Sequence, residues 1–385
     1  MVTVAEVPTV AEVTAVMDRL YPPGLAESWD AVGLVCGDPD ARAGRVYFCV
    51  DVTAATVDEA LDWGADLIVA HHPLLLRAVN SVAATTYKGR LLHRLIRAEA
   101  ALLVAHTNAD AADPGVSDAL AVRLGLRDLR PLRPAPADPL DKLVAFVPLP
   151  DVDKVIDAAT DAGAGARGTD YSRWAWTTPG VGTFVPAAGA SPAVGVVGIP
   201  AQVPEARVEL IVPRHRRDRV VEAVLAAHPY EQPAYDVFEL AALPGTRGIG
   251  RVGELSAPTT LAGFLAHVAA VLPPTAAGLR STGDPDQVVR HVAVSGGAGD
   301  GFLAEVRRLG VDAFLTADLR HHPASEHTEA GGPALVDAAH WATERPWLDQ
   351  AAALLSAGLA PATVDTLVSD LPTDAWTLHA PSARR

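Results

Sequence analysis

Two runs, Leu67-Ile68-Val69-Ala70 and Leu102-Leu103-Val104-Ala105, are apolar at every position, and each is followed at once by histidine. Unbroken apolar runs of this length read as buried strands. A further strand is expected over 46–52, then a helix over 55–63 with Thr53 as N-cap and Gly64 closing it. Strand, helix and strand with short connections form a βαβ unit, which constrains the chain to an α/β fold with a parallel sheet. Another helix is expected over 10–20, ending before Pro22-Pro23.

At 385 residues the chain exceeds one ordinary core. Four prolines within 130–139 exclude a helix or a central strand and mark a linker, and Pro244-Gly245 marks a second break. Between them, strand signals at 142–147 and 208–212 and a helix over 218–227 indicate a separate α+β domain. The expected organisation is an N-terminal α/β half over 1–130, an inserted domain over 140–243 and a C-terminal α/β half over 246–385. The outer segments repeat one another thinly. Gly64-Ala65-Asp66 matches Gly310-Val311-Asp312, Glu59 matches Glu305, and His72 falls opposite Asp318. Such a repeat implies two similar halves whose strand ends face one crevice.

Strand ends are where open α/β sheets place their binding sites. His71-His72 follows the first apolar run, and Asp110 sits in His106-Thr107-Asn108-Ala109-Asp110 after the second. His340 and Glu344 are spaced i, i+4, so on a helix they share one face. Separately each has a plainer reading: a buried histidine pair, a turn aspartate, a surface helix pair. Together, three imidazoles and two carboxylates exceed the needs of one tetrahedral ion and suggest two ions sharing a carboxylate. Imidazole and carboxylate without thiolate suit Zn, Mn or Fe(II) better than Ca or Mg. Asp318 and His322, after another apolar strand, are the candidates for proton transfer. His106 could orient a ligand or serve structure. Asp51 could orient a histidine or cap the next helix. Gly296-Gly297-Ala298-Gly299 reads as a tight turn, or as an anion-receiving helix start.

The chain resembles the family of GTP cyclohydrolase I type 2 homologues, also called NIF-three-like. The matching stretches are Trp29-Asp30-Ala31-Val32-Gly33-Leu34, Ala70-His71-His72-Pro73-Leu74, His106 to Asp110, Thr316-Ala317-Asp318 with His322, and His340-Trp341-Ala342-Thr343-Glu344. The resemblance implies two related α/β halves and two divalent ions on His71, His72, Asp110, His340 and Glu344, with the glutamate able to bridge. It also implies a toroidal homohexamer. Asp170-Tyr171-Ser172 and the segment from His228 to Asp236 are similar to the inserted domain of longer members, which resembles the PII and copper-tolerance folds. Ala31 stands where the family commonly has Asn, while Ala317, Pro114 and Ala339 replace Gly.

A formal charge of −15 argues against nucleic acid as the main partner. The basic run Arg214-His215-Arg216-Arg217 reads as a solvated face. No apolar stretch is long enough for a membrane span, and residues 1–6 lack signal-peptide character. Two cysteines, Cys36 and Cys49, are too few for a disulfide framework and fit the cytoplasm. The expected function is a metal-dependent hydrolase acting on a nucleotide or phosphoester-like small molecule. The alternative is a metal carrier, store or regulator without turnover. The family name proposes GTP ring opening, but no guanine-reading motif is visible in the sequence.

Overall fold

The structure is a computed structural model that describes residues 7–166 and 171–380; residues 1–6 and Asp170 of the inserted segment's motif lie outside the described residues. The chain forms two compact units, one of Met1–Ala135 with Thr246–Arg385 and one of Pro136–Gly245.

The first unit opens with α1 (Val10–Leu20), where Thr9 and Glu12 form a capping box. Next come β1 (Gly33–Cys36), β2 (Arg45–Cys49), α2 (Ala54–Trp63), β3 (Leu67–Ala70), α3 (Tyr87–Arg97) and β4 (Ala101–Val104). The short helix α4 (Thr107–Ala111), α5 (Val116–Arg123) and β5 (Arg127–Pro136) complete this segment. The inserted unit holds β6 (Leu140–Pro148), α6 (Val152–Asp161), β7 (Ala175–Phe184), β8 (Ala201–Pro213), α7 (Arg217–Ala227) and β9 (Tyr235–Glu239). The chain then returns through β10 (Pro244–Thr260), α8 (Leu261–Val271), β11 (Arg280–Ser281), β12 (Val288–Ala298) and α9 (Leu303–Leu309). It ends with β13 (Ala313–Ala317), α10 (His321–Glu329), β14 (Ala334–Ala338), α11 (His340–Leu359) and β15 (Asp365–Val368).

The first sheet has the order β1-β4-β3-β2-β15, parallel except for β1. Its central strands, β3 and β4, are the two apolar runs, buried at every position. The second sheet has the order β11-β14-β13-β12-β10-β5, with β12, β13 and β14 parallel. Matching turns close a helix–strand unit in each sheet. Gly64 and Gly310 end α2 and α9 in the left-handed conformation. Asp66 then accepts from the Arg45 amide (2.8 Å), as Asp312 does from the amides of Arg290 (2.8 Å) and His291 (2.7 Å). Helix α11 packs on β2 and β15 of one sheet and on β12 and β13 of the other, and buries Trp347, Leu348, Ala351 and Leu355.

Three expectations shift. The proline-rich linker is largely β5, but as the outermost strand of its sheet, the place in a sheet where proline is tolerated because one side pairs with nothing. The glycine segment 296–299 is the tip of β12 and runs into a 3-10 turn, Asp300–Phe302, before α9 begins. Arg214 and Arg217 are not simply a solvated face. Both clamp the buried carboxylate of Asp141, at 3.0 and 2.8 Å, and both pair with Glu239.

The inserted unit is an antiparallel sheet, β7-β8-β6-β9, whose core is closed by α6 and α7. His228 hydrogen-bonds the Phe146 carbonyl, and Tyr230 donates to Glu205. No helix among the described residues is long and apolar enough to cross a membrane.

Candidate metal centre

The ends of β2, β3 and β4 point the same way because these strands are parallel. The ladder continues one step past β3: the His71 amide bonds the Cys49 carbonyl and the His72 amide bonds that of Val50. Both imidazoles are thereby set at the sheet's edge, beside Asp51 after β2 and His106 to Asp110 after β4. From the second sheet, the end of β13 contributes Asp318, and the end of β14 leads directly into the first turn of α11, which carries His340 and Glu344.

Four imidazoles meet there, and each uses Nδ1 in the same way. His71 Nδ1 lies 2.9 Å from the Ala105 carbonyl, so it must donate. His72 Nδ1 lies 2.8 Å from Asp51, His106 Nδ1 2.8 Å from Asp30, and His340 Nδ1 2.6 Å from Asp318. A histidine whose Nδ1–H is tied to a carbonyl or carboxylate presents Nε2 as its free electron pair, the usual arrangement of a metal-binding imidazole. Three of the Nε2 atoms face Glu344: its Oε1 lies 3.5 Å from His71 and 3.0 Å from His340, and its Oε2 3.2 Å from His72. Asp110 Oδ1 is 3.8 Å from His71 Nε2.

Two of these atoms, His71 Nε2 and Glu344 Oε2, are fully buried and make no hydrogen bond. A buried polar atom without a partner is costly, and a cation between imidazole and carboxylate would satisfy both. Two groups have ligand atoms close enough to hold an ion: His71 with His72 and His106, and His72 with His340 and Glu344. The donor set is nitrogen and oxygen without sulfur, which suits Zn, Mn or Fe(II).

The electrostatics point the same way. Burial pushes the Glu344 carboxyl up, but His72, His71 and His340 together outweigh it and hold the group well below the ordinary carboxylate range. Burial lowers His72, yet Glu344 and the Asp51 hydrogen bond reverse this and carry it up to about 11. For His340, burial is again overcome by Glu344 and Asp318, to about 10. For His106, burial and the charge of His71 outweigh the upward pull of Asp30 and bring it down to about 4. Burial raises Asp110 to about 6 against the pull of His71. The pocket thus favours positive charge around a buried carboxylate, a demand that protons or a metal can meet.

Of the residues singled out from sequence, His71, His72, Asp110, His340 and Glu344 all converge here. Asp318 reaches the cluster through His340, and it does so with φ +56, a left-handed conformation uncommon for any residue but glycine. Its carboxyl is held low first by that hydrogen bond. His322 is exposed on the first turn of α10, against the ring of His321, and among the described residues it makes no hydrogen bond or ion pair with the cluster. Asp51 orients His72, and the helix cap beside it is Thr53.

The Duf34/NIF3 family (NGG1p interacting factor 3) matches residues 8–375. The chain belongs to this family. Proteins called GTP cyclohydrolase 1 type 2 homolog are 50% identical in Mycobacterium tuberculosis, over 97% of this chain and 98% of theirs, and 40% identical in Streptomyces coelicolor, over 98% and 96%. A solved Bacillus cereus protein related to NIF3 superposes with a TM-score of 0.81 at 33% identity, over 97% of this chain and all of that one.

One departure from the family pattern is explained directly. Ala339, at a position where glycine is typical, is the N-cap of α11 with φ −68 and ψ 138, open to any residue. Sequence reasoning did not single out Asp30. Its two oxygens bind His106 Nδ1 and the amide and hydroxyl of Thr107, which fixes the segment bearing Asp110. The family motif Trp29-Asp30 was the available signal. Gly297 was read as part of a tight turn or a helix start, yet a Cβ there would lie 2.5 Å from Glu344 Oε1 and 3.0 Å from His340 Nε2. Its lack of a side chain is what lets Glu344 and His340 approach.

Proposed function

We propose that the chain is a binuclear metal protein that holds two divalent ions, Zn, Fe or Mn, on His71, His72, Asp110, His340 and Glu344, with Glu344 bridging. We further propose that it is a hydrolase acting on a nucleotide or phosphoester-like small molecule. The observation that carries this reading is the uniform tethering of four clustered Nδ1 atoms, three of them on histidines that face a buried glutamate, with His71 Nε2 and Glu344 Oε2 buried and making no hydrogen bond. When bound, a pair of ions lowers the pKa of water and polarises the bond to be attacked.

The residues then divide the work. Asp51, Asp30 and Asp318 orient His72, His106 and His340. Asp318 has one further oxygen available for a proton, and His322 is the second candidate for proton transfer. The matching turns after α2 and α9 support two related α/β halves enclosing residues 140–243 as an inserted domain. The antiparallel sheet with two covering helices supports the resemblance of that domain to PII and copper-tolerance folds. A cytoplasmic toroidal homohexamer follows from the family resemblance, and light scattering on the purified chain tests the assembly.

Elemental analysis of protein purified without an affinity tag is expected to find about two ions per chain. His340→Ala and Glu344→Ala should each remove most of them, and full metal content in both variants sinks the ligand assignment. A phosphoester and nucleotide panel with reconstituted metal tests the chemistry. His322→Ala should lower turnover with metal content intact if it serves as the second proton carrier, whereas Asp318→Asn should lower both. A metal-replete wild type inert across the panel favours a carrier or regulator.

A further inference from the structure

The stretch after β15 has no part in the function described above, yet it runs to the metal centre. Strand β15 pairs in parallel with β2, from Asp365 beside Arg45 to Val368 beside Phe48. The pairing continues for one residue, since the Ser369 amide bonds the Phe48 carbonyl at 2.9 Å. Ser369 Oγ donates to Glu59 (2.7 Å), and Glu59 also receives the Tyr47 hydroxyl. Asp370 accepts from Arg345, at 3.1 Å from Nε and 2.6 Å from Nη2, and Arg345 directly follows Glu344. Three residues on, the Thr373 hydroxyl donates to Asp51 Oδ2, while Asp51 Oδ1 receives His72 Nδ1.

We propose that residues 369–373 form a strap that sets the metal centre, with Thr373 a positioning residue for His72 acting through Asp51. The proposal rests on the metal-binding reading above. A carboxylate held by one oxygen alone can turn about its last torsion and carry the imidazole with it. A hydrogen bond to the second oxygen fixes the carboxylate plane, and with it the direction of His72 Nε2. Thr373 lies 322 residues from Asp51, so this contact exists only once both ends of the unit have closed on each other. The Asp370–Arg345 pair ties the same strap to the part of α11 that carries Glu344.

The test is titration of the chelator-stripped full chain with Co2+, read by its visible ligand-field bands. Thr373→Val should weaken Co2+ binding by about tenfold and alter the bands, with the melting temperature of the metal-free protein unchanged. Thr373→Ser, which keeps the hydroxyl, should restore both. Asp51→Asn should weaken binding as well, and adding Thr373→Val to it should cost nothing more, because both act on one imidazole. Wild-type affinity and bands in Thr373→Val overturn the strap, as does a Ser variant as defective as Val, or an additive loss in the double variant. Should Thr373→Val fail to fold, Thr373→Ser and Asp51→Asn still decide: a defective Ser variant, or a wild-type Asn variant, overturns the proposal. If the wild type takes up no Co2+, or His340→Ala takes up as much as wild type, the metal reading itself fails and the strap falls with it. Normal wild-type uptake with a normal Thr373→Val sinks the strap alone.

Discussion

A hydrogen bond at one imidazole nitrogen fixes which nitrogen is left to face a cation. Here one carbonyl and three aspartates supply that bond four times over. The proposed ligands His71, His72, His340 and Glu344 stand out in the sequence because they form short-range patterns: a histidine pair at a strand end, an i, i+4 pair on a helix. Of the residues that aim the imidazoles, Asp51 was readable as a possible orienter and Asp318 only as a proton-transfer candidate, while Asp30 was not singled out. Asp30 serves a histidine 76 positions away, and nothing local in Trp29-Asp30 records that pairing. Gly297 is the sharpest case, since its role is defined by the atoms it makes room for. Gly297→Ala would place a methyl 2.5 Å from Glu344 Oε1 at φ +64. The left-handed backbone alone costs about 1–2 kcal/mol. The expected outcome is a folded chain with a modestly lower melting temperature and markedly less metal, checked by calorimetry and elemental analysis of one sample.

Among the elements, those with strong local signals follow the sequence closely. Helix α1 has helical spacing and a capping box, and β3 and β4 are apolar at every position. Strands β5 and β10 had no such signal. One is rich in proline, and the other is a 17-residue strand broken by glycine and only partly buried. What fixes β10 beside α5 is Arg251, which is 2% exposed. Its guanidinium meets the Asp118 carboxylate at 2.6 Å through both Nε and Nη2, and donates to the carbonyls of Gly248, Gly250 and Ala112. Removing one partner of such a pair leaves the other charge buried and uncompensated. Arg251→Met should therefore destabilise the chain by about 3–5 kcal/mol in urea unfolding. Adding Asp118→Leu should recover much of that loss, which distinguishes a stranded charge from a simple loss of packing.

At the scale of the molecule, the inserted unit should answer to acid through one buried carboxylate. In the inserted unit, Asp141 is held below its usual range first by its hydrogen bond to Arg217 and then, against burial, by Arg214. A depressed carboxyl contributes stability that is complete above its unfolded value, about 4, and is lost as pH falls through the lower folded value. Peptides from 140–213 should therefore lose urea resistance between pH 5 and pH 3, and Asp141→Asn should flatten that dependence. Equilibration in urea at each pH, followed by hydrogen-exchange labelling at one fixed pH, measures both. The compact unit Pro136–Gly245 lies between the proline-rich stretch 130–139 and Pro244-Gly245, both readable as breaks, whereas the strap was invisible because a threonine near residue 373 resembles any other. The same long-range closure bears on biosynthesis. His72 is translated early, but Glu344 and Thr373 emerge only after nearly all the rest of the described chain. A ribosome-tethered fragment ending before α11 would carry the histidine pair without the helix that bears His340 and Glu344, so capture of the proposed ions would have to wait for that helix.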